Sequence, residues 1–182
     1  MADVLAAALA ILLTNGGENV GLLGEGMPAR GGRVGLNLLV EAMMVAKGGT
    51  SAPPAEPLPR FAGVVLIADF LEPISLYRES IAALAARGCV GHCLQILDPA
   101  EEGFPFSGRI RFEGTEDEAP HLLRRADRVR DEYREKLALH REALKDLATT
   151  FGWSFASYNT DQPADAALLS LYGALSKTAV WE

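Results

Sequence analysis

The chain has 182 residues, of which 49% are hydrophobic and 23% are charged, and its formal net charge is −7. This length and apolar content predict one domain over residues 1–182 with a substantial core. The acidic balance argues against a nucleic-acid or anionic-membrane surface, because those partners require a dominant positive field. Two cysteines are too few for a disulfide framework, which favours a reducing, cytoplasmic compartment.

The first sixty residues predict two helices, a strand and a linker. Residues 5–13 form an apolar run that no Lys or Arg precedes, which favours a buried helix over a signal peptide. The short apolar segment 19–24, bounded by glycines, is typical of a buried strand. Helical spacing of apolar residues predicts a helix over 34–47, and four prolines predict an irregular linker at about 48–60. No apolar run reaches the roughly 18 residues that span a bilayer, so we expect no transmembrane segment.

The middle of the chain has the order strand, helix, strand. Residues 63–67 are continuously apolar and mostly β-branched, as in a strand covered on both faces of a parallel sheet. An amphipathic helix is predicted over 76–87, and a second buried strand over 90–97. This order predicts an α/β fold with a mostly parallel sheet, helices on both faces and right-handed crossovers.

Beyond Asp98 the hydrophobic pattern changes. Residues 107–114 alternate apolar and charged side chains, which predicts a half-exposed strand or hairpin within an insertion at about 103–118. A continuous apolar stripe then predicts a long helix, whose arginines are interleaved with acids, so we expect a solvated, salt-bridged face and not a nucleic-acid patch. This helix, a strand and a final helix are predicted over 123–151, 153–158 and 164–176.

The loop after the first predicted strand contains a loose G-x-G-x-x-A pattern at residues 24–29. In a dinucleotide-binding fold, an acidic residue would lie about 20 positions further on, at the end of a strand. Residues 43–48, at the end of the predicted helix, occupy that place, so we favour a plain glycine-rich turn. No P-loop pattern occurs either, and we assign no cofactor-binding residue.

The cysteines and histidines do not predict a metal or catalytic cluster. Cys89, His92 and Cys93 lie on or beside one strand, where His92 points away from Cys93. The two cysteines share a face but stand about 13 Å apart at roughly 3.3 Å per residue, too far for a disulfide or one zinc ion. We therefore predict buried structural thiols, a packing role for His140 on the apolar stripe and a loop position for His121.

Acidic residues follow two of the predicted strands. For Asp98, Glu101 and Glu102, after the second strand, we favour a turn or helix cap over catalysis. Asp69 directly follows the first strand, and ligands of open α/β sheets bind outside the carboxyl ends of strands. A carboxylate there suits a hard cation such as Mg²⁺ or caps the following helix, and the sequence leaves both roles open. No G-x-S-x-G nucleophile motif occurs, so we assign no catalytic residue.

Three stretches carry a resemblance to a known family: LLTNGGENVGL at 12–22, VVLIADFLEP at 64–73 and LQILDPAE at 94–101. The sequence resembles the C-terminal, von Willebrand factor A-like part of a bacterial family of unknown function (domain of unknown function 58), often encoded beside MoxR-type AAA+ ATPases. The resemblance covers nearly the whole chain. It implies a Rossmann-like, von Willebrand factor A-like fold and a protein-interaction or scaffolding module, not an enzyme, with a AAA+ ATPase as its partner.

The same resemblance implies a metal site of which one residue is matched. A von Willebrand factor A domain builds this site from a D-x-S-x-S loop after its first strand, a threonine on a second loop and an aspartate on a third. Only Asp69 is matched here, because the D-x-S-x-S strand is missing and no threonine lies within 24–47, while Ala68 replaces the family's usual serine. We expect Asp69 to bind Mg²⁺ only if the missing ligands are supplied.

The missing strand would lie between the strands predicted at 19–24 and 63–67. We expect those two strands to pair directly, or another chain, including a second copy, to supply a strand, because unpaired buried backbone is costly. Asp69, Asp98 and Glu101 are the predicted partner-binding edge. Two alternatives remain open: a Rossmann-like nucleotide or small-molecule-binding enzyme that uses the glycine loop and the later acids, and a truncated remnant of a longer metal-dependent binding protein.

Overall fold

The computed structural model describes residues 1–26, 28–46, 52–54, 56–106, 108, 110–112, 121–123 and 126–178. Within them, the elements follow in the order α1 (Ala2–Asn15), α2 (Gly32–Val45), β1 (Gly63–Ala68), α3 (Ile74–Ala85), β2 (Val90–Leu97), α4 (Pro99–Gly103), β3 (Ile110–Phe112), β4 (His121–Leu123), α5 (Ala126–Thr150), β5 (Ser154–Asn159) and α6 (Ala164–Thr178). Among these helices, as far as they are described, none has both the length and the hydropathy that crossing a membrane requires.

β1, β2 and β5 form a parallel sheet with β2 in the middle. The register aligns Gly63 with Val90 across β1 and β2, and His92 with Ser154 across β2 and β5. α3 connects β1 to β2, and α5 lies on the connection from β2 to β5, so two strand-helix-strand units follow each other. The predicted α/β fold with a mostly parallel sheet is confirmed.

Helices cover both faces of this sheet, as predicted. α3 and α5 pack on one face, where Tyr77 and Leu147 share a core with Cys93 of β2. α1 and α6 pack on the other face, where Leu5 shares a second core with Leu94. Successive residues of β2 thus enter opposite cores, because side chains alternate along a strand. α3 and α5 share one face because both crossovers step in the same direction across the sheet.

The strand predicted at 19–24 is wrong. Val20 makes a single antiparallel bridge to Arg30, with N···O distances of 3.0 and 2.9 Å, and the chain turns at Gly24, whose φ is +97°. Glycine tolerates this left-handed conformation, so the residue that bounds the apolar segment ends it in a turn. The expected direct pairing of this segment with β1 is also wrong, because β1 pairs with β2 alone among the described residues.

Smaller differences lie between β2 and α5. The short helix α4 was not predicted. β3 and β4 pair antiparallel, which confirms the hairpin but extends it beyond residue 118, and His121 lies on a strand instead of in a loop. Residues 113–120 of this insertion lie outside the described residues, as do 47–51 and 55 in and beside the predicted linker. The linker residues that are described form no helix or strand.

Candidate functional site

The carboxyl ends of β1, β2 and β5 meet at one edge, because the three strands are parallel. This carboxyl edge consists of residues 69–72 after β1, residues 98–106 after β2 and residues 159–160 at the end of β5. Ligands of open α/β sheets bind at such an edge. It contains the three acids predicted to form a partner-binding edge: Asp69, Asp98 and Glu101.

The turn after β1 is held in place although its backbone is strained. Phe70 has a φ of +55°, a left-handed conformation that is costly for a bulky residue. Its ring is 1% exposed, and its centroid lies 5.3 Å from that of Tyr77. The Tyr77 hydroxyl accepts a hydrogen bond from the Glu72 N–H at 3.2 Å. Burial and hydrogen bonding therefore fix one conformation, in which Asp69 and Leu71 are exposed.

Gln95 connects the strands beneath the carboxyl edge. Its side chain is 0% exposed, and Nε2 donates to the Asp69 carbonyl at 2.9 Å. Oε1 accepts from Arg141 Nε at 3.1 Å and from Ser157 Oγ at 3.4 Å. A buried amide requires such partners, so this network ties β1, β2, β5 and α5 together. We did not predict the network, although a glutamine within a largely apolar strand was an available signal.

α5 holds both strand-end turns through its side chains. His140 Nε2 lies 2.7 Å from the Phe70 carbonyl oxygen and donates to it, which places a proton on Nε2 because a carbonyl can only accept. Arg130 donates to the carbonyls of Phe104 and Phe106 at 2.9 and 2.8 Å. His140 therefore positions the β1 turn. Arg130 departs from the predicted solvated face, because backbone carbonyls satisfy its guanidinium.

Asp98 is the N-cap of α4. Its Oδ1 accepts from the Ala100 N–H at 2.8 Å, and Glu101 Oε2 accepts from the Asp98 N–H at 2.8 Å. These reciprocal bonds form a capping box. Asp98 Oδ2 also accepts from Thr160 Oγ1 at 3.2 Å, which joins the ends of β2 and β5. The favoured capping role is confirmed, and because both acids are exposed, their contact with a partner stays a prediction.

Asp69 does not cap the helix that follows it. Its Oδ1 accepts from the Leu71 N–H at 3.3 Å, an Asx-type turn, whereas the N-cap of α3 is Pro73. The capping alternative for Asp69 is therefore wrong. Within the described ranges, no group of three or more His, Cys, Asp or Glu side chains is arranged to hold a metal ion. Mg²⁺ at Asp69 would thus need ligands from elsewhere.

A crevice of about 470 Å³ opens at the ends of β2 and β5. Its wall contains an ion pair, with Arg141 Nη2 lying 2.7 Å from Glu102 Oε1, and Asn159 Nδ2 donates to the other Glu102 oxygen. Hydrogen bonds from the Asn159 amide, which has the larger effect, and from the Arg141 guanidinium hold the pKa of Glu102 below its usual value. This carboxyl is therefore ionised at neutral pH. On α5 the crevice is further lined by Arg134, Leu137 and Ala138.

The predictions for the cysteines and His92 of β2 are confirmed. Cys89 and Cys93 are free thiols buried in the same core, and burial raises the pKa of Cys93 to about 12, which keeps that thiol unreactive. His92 enters the other face, with Nδ1 2.7 Å from Ser154 Oγ, and burial lowers its pKa. None of these side chains lies at the carboxyl edge.

The glycine loop is bonded to another part of the chain. The Gly24 N–H donates to Glu56 Oε2 at 3.0 Å. A carboxylate therefore already accepts the hydrogen bond that this amide would donate to a bound phosphate. The loop does not follow a strand, and α2 begins only at Gly32. These contacts support the plain-turn interpretation.

The open parallel sheet and its carboxyl edge define an α/β protein of the Rossmann-like class. The model of the family described as "Protein of unknown function DUF58" matches residues 1–143, so the chain belongs to this family, as its motifs predicted. The crystal structure of conserved hypothetical protein BatB from Bacteroides thetaiotaomicron is similar, with a TM-score of 0.56 and 15% sequence identity, over 98% of this chain and 86% of that chain. At this identity the likeness shows a shared fold only. No match was found among curated proteins.

Proposed function

We propose that this chain is a protein-binding module and not an enzyme, and that its partner contacts the open edge of β1 together with the turn at 69–72. The resemblance to von Willebrand factor A-like domains encoded beside MoxR-type AAA+ ATPases makes such an ATPase the partner we propose. The observation that carries this proposal is the outer edge of β1.

β1 bounds the described sheet although its sequence is that of an interior strand. Among the described residues, Gly63–Ala68 pairs with β2 alone. No described strand therefore forms hydrogen bonds with the backbone N–H and C=O groups that point away from β2. Both of its faces are apolar, since Leu66 packs against the α3 and α5 core, and Val65 and Ile67 pack against the α1 and α6 core. An apolar edge strand favours addition of a further strand, which is a common way to bind an extended segment of a partner.

The turn at 69–72 extends this edge with a preformed surface. Asp69 is exposed and Leu71 is 45% exposed, which places a charge beside an apolar side chain. Gln95 and His140 hold the backbone carbonyls beneath them. A surface that is already ordered costs less conformational entropy on binding, which supports a recognition role for this turn.

Two contacts weigh against the enzyme alternative. The Gly24 amide is bonded to Glu56, and Asp98 and Glu101 cap α4. Both features that a nucleotide-binding enzyme would use are thus engaged in local structure.

Titration calorimetry with a purified MoxR-type AAA+ ATPase tests the proposal. Asp69→Arg reverses the charge of the turn and should weaken the complex by about tenfold or more, since buried interfacial charges of the wrong sign cost at least ~1.4 kcal/mol. The matched control is Asp146→Arg, which changes an exposed acid near the end of α5, beside the amino end of β5. This control should bind like the parent chain.

Four outcomes would count against the proposal. Absence of a complex, or equal loss in both variants, would contradict binding at the β1 side. A dimer in light scattering that Asp69→Arg dissociates would show that a second copy of the chain binds the open edge of β1. Tight nucleotide binding in the same calorimeter would favour the enzyme alternative.

A further inference from the structure

We infer that the crevice between α4, α5 and the end of β5 binds a small monocarboxylate with an apolar body. This site goes beyond the proposed function, because it lies at the β2 and β5 ends of the carboxyl edge and takes a different ligand. Its volume of about 470 Å³ lies within the range of small-molecule pockets.

The charges of the crevice favour an anion. Arg134 and Arg141 line it, and among the described lining residues Glu102 is the only acid. Both oxygens of Glu102 are engaged, one by Arg141 and the other by Asn159. The described lining residues therefore carry one net positive charge, two arginines against one glutamate, within a chain whose formal net charge is −7. A single uncompensated guanidinium matches a monoanion such as a carboxylate better than a doubly charged phosphate.

Arg134 is the group that supplies this charge. It lies seven residues before Arg141, hence on the same face of α5 and roughly 10 Å along the helix axis. Among the described residues it has no hydrogen-bond or ion-pair partner, although its charge contributes to the lowered pKa of Glu102. An exposed guanidinium presents parallel N–H groups that fit a carboxylate in a bidentate pair.

Apolar side chains separate the two arginines. Leu137 and Ala138 lie one turn beyond Arg134 on α5, and Pro99 of α4 lines the crevice as well. A carboxylate paired with Arg134 would therefore rest its hydrocarbon part against these residues. Both a free short-chain acid and the C-terminal residue of a peptide have this chemistry.

Calorimetry with isovalerate, isovaleramide and the peptide Ala-Ala-Leu tests the inference on the full chain. Isovalerate should bind with a Kd of about 1 mM or tighter, and isovaleramide, which lacks the charge, should bind at least about tenfold more weakly. Tighter binding of the peptide than of isovalerate would identify a peptide C-terminus as the source of the carboxylate, and the reverse order would identify a free acid.

Variants separate the site from general charge effects. Arg134→Gln should weaken isovalerate binding by about tenfold or more, and Ala138→Glu, which adds a negative charge at an exposed position of the crevice, should abolish it. Arg87→Gln, at an exposed arginine beside the amino end of β2, should have no effect. The inference would be overturned if isovalerate and isovaleramide bound equally, or if neither isovalerate nor the peptide bound. Equal loss of isovalerate binding in the Arg87 and Arg134 variants would also overturn it.

Discussion

The segments that follow β1 (residues 69–72) and β2 (residues 98–106) resemble each other, but their leading aspartates have different roles. We call them the β1 turn and the β2 turn, although the second contains the short helix α4. In each turn, a buried phenylalanine adopts a left-handed conformation, Phe70 at +55° and Phe104 at +42°, and α5 bonds its carbonyl. Asp98 caps a helix that begins at the next residue, whereas Asp69 precedes a turn and α3 begins only after Pro73. An aspartate after a parallel strand therefore does not reveal its role, which depends on where the next helix begins.

The largest losses of stability should come from replacing the buried phenylalanine that each turn contains. Phe70→Ala and Phe104→Ala should each lower the free energy of unfolding by about 3–5 kcal/mol, because each leaves a cavity while the strained backbone remains. Urea denaturation measures both losses. Phe61→Ala is the matched control, since Phe61 also has a positive φ but is 56% exposed, and it should lose less than about 1 kcal/mol. Similar losses at Phe61 and Phe70 would show that burial does not hold the turns.

Gln95 distinguishes the β1 turn from the β2 turn, because it bonds the Asp69 carbonyl. Gln95→Ala should cost about 2–4 kcal/mol, since it opens a cavity and leaves the buried partners of its amide unsatisfied. Gln162→Ala changes an exposed glutamine and should be nearly neutral in the same urea experiment. A loss below about 1 kcal/mol for Gln95→Ala would contradict the network that we describe.

Replacing the two aspartates should have smaller and unequal effects on stability. Asp98→Ala removes the N-cap of α4 and should cost about 1 kcal/mol, whereas Asp69→Ala should cost no more than about 0.5 kcal/mol. Thermal or urea unfolding of both variants checks the difference. Equal losses would mean that Asp69 stabilises the fold as a cap does, and would remove the contrast between the turns.

The smallest effect should be a pH dependence at the β2 end. The pKa of Glu102 is held below its usual value of 4.5, so its contribution to stability is present above that pH and is lost as the pH falls through the lowered pKa of the folded state. The difference in unfolding free energy between the parent chain and Glu102→Gln should therefore shrink below pH 4.5. Glu79→Gln, at an exposed site on α3, is the control. A difference that grows on acidification would contradict this sign.

Much of the fold could be predicted because it depends on local patterns. β2 runs over the predicted residues, and β1, α3, α5 and α6 differ by a few residues at their ends, since continuous apolar strands and helical periodicity are readable from sequence. Residues 19–24 misled the prediction because a short apolar run gives no information on whether its glycine turns the chain. α4 had a readable signal, the capping box formed by Asp98 and Glu101.

The site was less accessible to prediction because its contacts join distant residues. The Gln95 and Arg141 side chains meet across 46 positions, and His140 and Phe70 meet across 70. Periodicity places each of these residues on an element but does not indicate which elements meet. The three predicted acids are brought to one edge by the parallel order of the strands, which is the part of the site that topology determines.

Amide hydrogen exchange along β1 tests most directly the claim that an open edge of this strand receives a partner. In the free chain, alternate amides of Gly63–Ala68, those that point away from β2, should exchange rapidly, while the amides of β2 are protected on both sides. Addition of the AAA+ ATPase should slow exchange at those β1 amides. Protection of every β1 amide in the free chain, equal to that of β2, would contradict the account.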